Sequence, residues 1–362
     1  MSTEKLIYWF EEAGKEHNDI LGKKCANLGE TTRLGIPVPP GFAISINLYR
    51  QFLEESGAGK EMEKCIAKIG DLQGRAIPVY KEAGKALQTI LLTKEMPPSL
   101  KNEIVSYYEQ LCKTVGLAEM AVSVRSAGTE SRPGMFNTYL NVKGVENVLQ
   151  KVKEVWASAY TPRGIAFRAK KGIPALKDEL GVGIVKMVNA KSAGIGFTVD
   201  PVTGDDSQII IEANWGLGEG VVSGIESVDR FIVTKDNKEI KERNIGKKLK
   251  CVVMLDDGAG WKETPSDKQS VPCLSDDEIA QVVELSLKLE KLMGRPQDIE
   301  WAFDSDFSFP DNLFLLQTRP AKVHASKVGS STDQLADKLI GSLKGMDFSK
   351  AKDKIKNMEF RF

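Results

Sequence analysis

The amino-acid sequence predicts an α+β protein in which a helix-rich first part faces a strand-rich second part. Three observations predict it. Between residues 46 and 116, apolar side chains recur at helical spacing, as with Leu100, Ile104, Tyr107, Leu111 and Val115. From Gly181 onward, short β-branched runs take over: GVGIVKMVNA, GIGFTVD, QIIIEANWG, VDRFIVT and CVVML. The length, 362 residues, allows two or three units with cores of their own. The expected organisation is one lobe over 1–180, a second over 181–324, and a polar, lysine-rich stretch over 325–362 that reads as a linker with a weak amphipathic helix.

The elements follow in order. GKKCANLGETTRLG predicts a helix from about Lys24 to Gly35, and IPVPPGFAIS a turn into a short strand. AVSVRS and YLNV read as strands joined by a glycine-containing link. Residues 145–171 return to helix, with Val148, Val152, Val155 and Trp156 on one stripe. One further helix is expected over 276–293. Last comes a hairpin, DIEWAFDSDFSFPDNLFLLQTRP, broken at Pro310-Asp311-Asn312. Alternation puts Ile299, Trp301 and Phe303 on one face of its first strand and Glu300 on the other. In the second strand it puts Gln317 and Arg319 with Leu313 and Leu315.

Composition excludes several classes. With 50 basic and 50 acidic residues, no global charge points to nucleic acid or an anionic membrane. The five cysteines are scattered and form no C-x-x-C, which argues against a zinc site or disulfide framework and for reduced thiols. No apolar run approaches the ~20 residues of a membrane span. The opening MSTEKLIYWFEEAGKEH breaks every apolar run with charge, unlike a signal peptide. A soluble cytoplasmic protein is expected. The two histidines, His17 and His324, lie in no acidic or glycine-rich cluster and read as surface or loop residues. There is no G-x-x-x-x-G-K-[ST] and no G-x-G-x-x-G, so neither a P-loop nor a Rossmann site is expected. GLGEG at 216–220 reads by itself as a tight turn.

Three segments carry chemistry. Gly22, Lys23 and Lys24 open a helix, where backbone N–H groups and a lysine attract phosphate. In SVRSAGTESRPGMFNTYLNV a strand carrying Arg125 runs into a loop with Ser126, Gly128, Gly134 and Thr138, small enough for backbone to approach a polyphosphate. The hairpin adds Glu300 and Gln317, whose oxygens suit Mg2+, and Arg319, whose fork suits phosphate. Each has a structural alternative: a helix-start lysine, a loop beside a paired arginine, a half-solvated hairpin. Together, five charged or amide groups far apart in sequence suit phosphoryl transfer, which depends on positioning and charge neutralisation.

In order, GKKCANLGE, IPVPPGFAIS, SVRSAGTES, RPGMFNTYLNV, GVGIVKMV, GFTVDPVTGD, EANWGLGEGVVSG, GRPQDIEWAF and LFLLQTRP resemble the ATP-binding region of the phosphoenolpyruvate synthase and pyruvate phosphate dikinase family over about residues 20–322. The resemblance implies an ATP-grasp fold, with ATP and Mg2+ held between two α+β lobes. It implies that Lys24 and Arg125 contact the phosphates and that Gly134 and Thr138 lie on a phosphate loop. Lys186, Met187 and Val188 fall on the adenine-edge segment, and Glu212 on a strand lining the cleft. Glu300 and Gln317 match the Mg2+ ligands, and Arg319 the arginine beside the transferred groups, so that Lys24, Arg125 and Arg319 are the implied catalytic cations.

The chain departs from the family's pattern in places. It has Gly22-Lys23-Lys24 where the family often has Gly-Gly-Lys, and Ser227-Val228-Asp229-Arg230 in place of a Pro-Asp-Glu run. Residues 304–312 lengthen the hairpin tip. Family members also continue into a swivelling domain whose histidine carries phosphate, and no such motif surrounds His17 or His324. A separate histidine-bearing subunit and a small-molecule acceptor are therefore the implied partners. The arrangement resembles phenylphosphate synthase, with phenol as acceptor. Split pyruvate-phosphorylating and rifampin phosphotransferase-like enzymes are the alternatives, followed by a stand-alone ligase that forms ADP and a non-catalytic ATP-binding subunit.

Overall fold

The protein is described by a computed structural model, in which residues 5–130, 135–224 and 227–323 are placed. The first part begins with β1 (Ile7–Trp9), a short α1 (Asn18–Leu21), α2 (Lys23–Arg33) and β2 (Gly41–Ile44). Four helices follow: α3 (Ile46–Glu55), α4 (Ala58–Ile69), α5 (Ile77–Thr93) and α6 (Pro98–Val115). Then come β3 (Val122–Gly128), β4 (Thr138–Val142), α7 (Val145–Ser158), α8 (Pro162–Lys171) and β5 (Leu180–Lys186). The predicted helix over 145–171 is thus two. Thr161 starts the second by accepting a hydrogen bond from Gly164 N–H at 3.2 Å, and Pro162 occupies its first turn.

The second part comprises β6 (Ala190–Phe197), β7 (Gln208–Trp215), a one-turn α9 (Glu219–Val222), β8 (Asp229–Thr234) and β9 (Ile240–Asn244). It continues with β10 (Lys250–Met254), β11 (Ala259–Glu263), α10 (Asp276–Met293), β12 (Gln297–Asp304) and β13 (Leu313–Pro320). Ser275 and Glu278 form a capping box at the start of α10.

Strands pair antiparallel in two main sheets, ordered β1-β2-β5-β3-β4 and β13-β12-β6-β7-β8-β9, with β10 and β11 as a separate ribbon. This corrects one expectation. The stretch GVGIVK, expected to open the second lobe at 181, is β5, the middle strand of the first sheet, and the chain crosses to the second sheet only at 187–189. Its near-continuous burial reflects that central place.

Alternation then decides what faces where. In the first sheet Val122, Val124, Val182 and Ile184 enter a core with Tyr49, Phe52 and Trp156, whereas Ser123 and Arg125 turn to the other side. In the second sheet Ile209, Ile211, Ile299, Trp301 and Phe303 pack with Ile279, Val282 and Leu289 of α10. The opposite face of that sheet, carrying Asp298, Glu300 and Ala302, is turned toward the first sheet.

The lobes are also tied through α2. Gly22 precedes it at φ 76°, and a Cβ there would lie 2.1 Å from the Ala127 carbonyl oxygen, so the helix start sits directly on the end of β3. Asn27, on the first turns of α2, donates to the Thr318 carbonyl at 3.2 Å. At the divergent Ser227–Arg230 run, Asp229 is fully buried and accepts from Gly246 N–H, Cys273 N–H and the buried Lys248 ammonium at 3.0, 2.7 and 2.5 Å. It holds the 246–248 and 273 loops to β8. Among the described residues no helix is long and apolar enough to cross a membrane.

Candidate functional site

Residues from both sheets enclose a cavity of about 140 Å³. The first lobe contributes Ser123, Arg125, Thr138 and the 185–188 segment; the second contributes Leu217, Glu219, Glu300 and Leu316. A larger trough of about 1,030 Å³ runs between α10 and the hairpin tip, but its walls, including Gln281, Lys288 and Phe309, hold none of the sequence-expected site residues. Of the sequence-expected residues, Arg125, Thr138, Lys186, Met187, Val188 and Glu300 line the smaller cavity, so the candidate site is placed there. Lys24, Gln317 and Arg319 do not line it, but Lys24 and Gln317 interact with Arg125 and Glu300, and Arg319 with Lys24.

Arg125 reaches across from β3. Its Nη1 donates to the Leu316 carbonyl at 2.8 Å and its Nη2 to Gln317 Oε1 at 3.4 Å, with Glu300 Oε2 at 3.6 Å. Gln317 Nε2 in turn donates to Glu300 Oε1 at 2.7 Å. One carboxylate oxygen and one amide oxygen are therefore already turned toward a cation.

A β-bulge produces this arrangement. Glu300 pairs with Gln317 but the next residue, Trp301, pairs with Leu315, leaving Leu316 extra. The expected face-sharing of Gln317 and Arg319 with Leu313 and Leu315 is thus corrected. Leu313 and Leu315 enter the α10 core, and the bulge swings Gln317 to the side of Glu300 and Arg319 to that of Asp298.

Lys24 lies beside this group, near enough to feel Arg125, Glu300 and Arg319. Lys24 is exposed as a residue, yet nearby protein atoms desolvate its ammonium. That effect, with the Arg125 charge, pushes it down to about 8. Arg319 Nε donates to Asp298 Oδ2 at 2.7 Å. Burial raises the Asp298 carboxyl above its usual range against the pull of Arg319. Burial likewise raises Glu219, which lines the cavity within the field of Arg125 and Glu300.

The other expected residues fall as follows. Thr138 is opposite Arg125 in register and lines the cavity. Lys186, Met187 and Val188 line it too. Glu212 shares a cross-strand row with Glu300, both flanking Ile195, but sits two strands away, about 10 Å, and is not among the cavity-lining residues. Gly134 and His324 lie outside the described residues. His17 accepts from Gly14 N–H through Nδ1 and packs on Tyr8, away from the cavity lining.

Asp298 and Glu219 were missed from sequence. Asp298 carried the signal, being two residues from Glu300 on the same strand face. Glu219 sat in a GLGEG run that a turn explains equally well.

The donors fit Mg2+ bound with a polyphosphate. Among the described residues no three Asp, Glu, His or Cys side chains form a metal cage. A single carboxylate with an amide oxygen matches the way Mg2+ takes few protein ligands and the rest from phosphate and water.

Two α+β lobes around a cavity of converging cations, carboxylates and an amide define an ATP-grasp type of nucleotide-binding protein. The chain belongs to the pyruvate phosphate dikinase AMP/ATP-binding domain family, whose match covers residues 18–338. It is 37% identical over 344 residues to a probable phosphoenolpyruvate synthase of Staphylothermus marinus, with 87% of this chain and 41% of that protein covered. A probable phosphoenolpyruvate synthase of Methanocaldococcus jannaschii is 38% identical, with 87% of this chain and 26% of that protein covered. The phosphoenolpyruvate synthase of Aeropyrum pernix is 36% identical, with 89% and 43% covered. The chain thus spans less than half the length of these relatives. A structure of D-alanyl-alanine synthetase A from Vibrio cholerae aligns with 70% of this chain and 60% of its own at 11% identity and a TM-score of 0.27, a likeness too loose to carry weight.

Proposed function

We propose that this chain is the ATP-binding part of a dikinase-type phosphotransferase. The observation that supports it most is that Arg125 of the first sheet meets Gln317 and Glu300 of the second beside a cavity between lobes, with Lys24 in the field of Arg125, Glu300 and Arg319. Lys24, Arg125 and Arg319 hold and neutralise the triphosphate. Glu300 and Gln317 hold Mg2+, which supplies further charge neutralisation to the phosphates. Thr138 faces the phosphates, and Lys186, Met187 and Val188 take the base. At about 140 Å³ the cavity is below the ~300 Å³ of ordinary small-molecule sites, so the lobes part to admit ATP.

The phosphoryl acceptor is a histidine outside this cavity, on a separate subunit or domain. Its ring nitrogen attacks the β-phosphorus, the bond to the α-phosphate oxygen breaks and AMP leaves. Hydrolytic loss of the terminal phosphate then gives phosphohistidine, which passes its phosphoryl group to a small molecule. Among the acceptors expected from sequence, pyruvate has the support of the relatives' names; phenol has none from them.

The test is to purify the chain with its histidine-bearing partner and supply ATP with pyruvate, then with phenol. AMP and phosphate with a phosphorylated acceptor are expected. ADP as the nucleotide product would overturn the dikinase reading in favour of a ligase.

A further inference from the structure

We propose that Asp304 is a positioning residue for base recognition, holding the Lys186 ammonium so that it offers one hydrogen-bond donor to the edge of a nucleobase. The inference deepens the ATP site above and rests on it. Asp304 lies four residues beyond Glu300 on β12, about 13 Å from the phosphate end. It is fully buried and both its oxygens are engaged. Oδ1 accepts from the Asp306 N–H at 3.0 Å and Oδ2 from Lys186 Nζ at 3.2 Å.

Lys186 comes from the end of β5 in the first sheet, so the pair joins the two lobes beside the crossing segment. The lengthened hairpin tip completes the frame. Ser305 N–H donates to the Asn189 carbonyl at 2.8 Å, and Asn189 Nδ2 donates to Asp306 Oδ1 at 2.8 Å. The Phe307 ring lies 5.6 Å from the ammonium.

A lysine ammonium has three N–H donors on a flexible stem. Asp304 takes one and the Met187 carbonyl, at 3.2 Å, a second. The third is left for the cavity that Lys186 lines, between apolar walls of Met187, Val188 and Leu217. Unpinned, the flexible stem would let the ammonium turn away from the base edge. Pinned and neutralised by a buried carboxylate, it serves as a fixed donor, which selects bases presenting a ring-nitrogen or keto acceptor at that edge. The added tip residues thus contribute to base selection, apart from the grip on phosphate.

Two probes separate those terms: the non-hydrolysable analogue AMP-PNP and inorganic tripolyphosphate, each with Mg2+, titrated calorimetrically into the full chain. Asp304→Asn and the charge-balanced double variant Lys186→Met/Asp304→Asn should each weaken AMP-PNP about tenfold or more. Tripolyphosphate affinity should be unchanged. The double variant removes both charges, so it avoids an unpaired buried ion, and its melting temperature checks folding. Equal weakening of both probes, or unaltered AMP-PNP affinity, would overturn the proposal. A wild-type chain binding neither probe would overturn the nucleotide site itself, a separate outcome that removes this inference with it.

Discussion

Raising the pH should weaken nucleotide binding through Lys24. Desolvation at the cavity, with the neighbouring Arg125 charge, brings its ammonium down to about 8, against the partial support of Glu300. A lowered lysine is charged below that value and neutral above it, so the cation a polyphosphate needs is lost as pH rises through 8. Between pH 7 and pH 9 the charged fraction falls from roughly nine-tenths to roughly one-tenth. If the phosphates bind only the charged form, the apparent dissociation constant rises by about tenfold at most, since solvent screening of this exposed group trims the effect. Lys24→Arg keeps its charge across the whole range and should give a flat profile. The assay is calorimetric titration of AMP-PNP with Mg2+ from about pH 7 upward, with Lys24→Arg run in parallel so that any ionisation of the ligand is common to both. A flat wild-type profile, or the same fall in Lys24→Arg, would refute the role given to this ammonium.

Arg319→Ala should leave the melting temperature nearly unchanged, since the side chain is 44% exposed and its partner among the described residues is Asp298, yet lower AMP formation by about 10²–10³-fold. Gly22→Ala should weaken AMP-PNP binding in the same titration, because the new Cβ must push the start of α2, and Lys24 with it, off the Ala127 carbonyl. Asp229→Ala should cost about 3–5 kcal/mol in urea unfolding, because it strands the buried Lys248 ammonium and two backbone donors. An unchanged denaturation midpoint would show that the pair does not hold the second sheet together.

Local pattern carried much of the architecture. The helix expected over 276–293 is α10, and alternation in DIEWAF correctly sends Trp301 inward and Glu300 outward. Pattern could not say which sheet a strand joins. GVGIVK looks like any buried strand, and its place between β2 and β3 depends on partners more than 50 residues away in sequence. The three residues of β1 are too few for any period to show. At the site, residue type suggested Lys24, Arg125, Glu300 and Gln317 as candidates, but not how the last two meet. That depends on one extra residue at Leu316, and a bulge resets the alternation on which a side-chain assignment rests. Asp304 escaped notice for a related reason: its importance lies in a lysine 118 positions earlier, which only the packed lobes bring to it.

A crystal structure of the chain with AMP-PNP and Mg2+ tests the central claim most directly. The triphosphate should lie between the lobes, within hydrogen-bonding reach of Lys24 and Arg125, with the metal on Glu300 and Gln317 and the base beside Lys186–Val188. Nucleotide density in the trough along α10, with the interlobe cavity still closed around the Arg125–Glu300–Gln317 contacts, would contradict it.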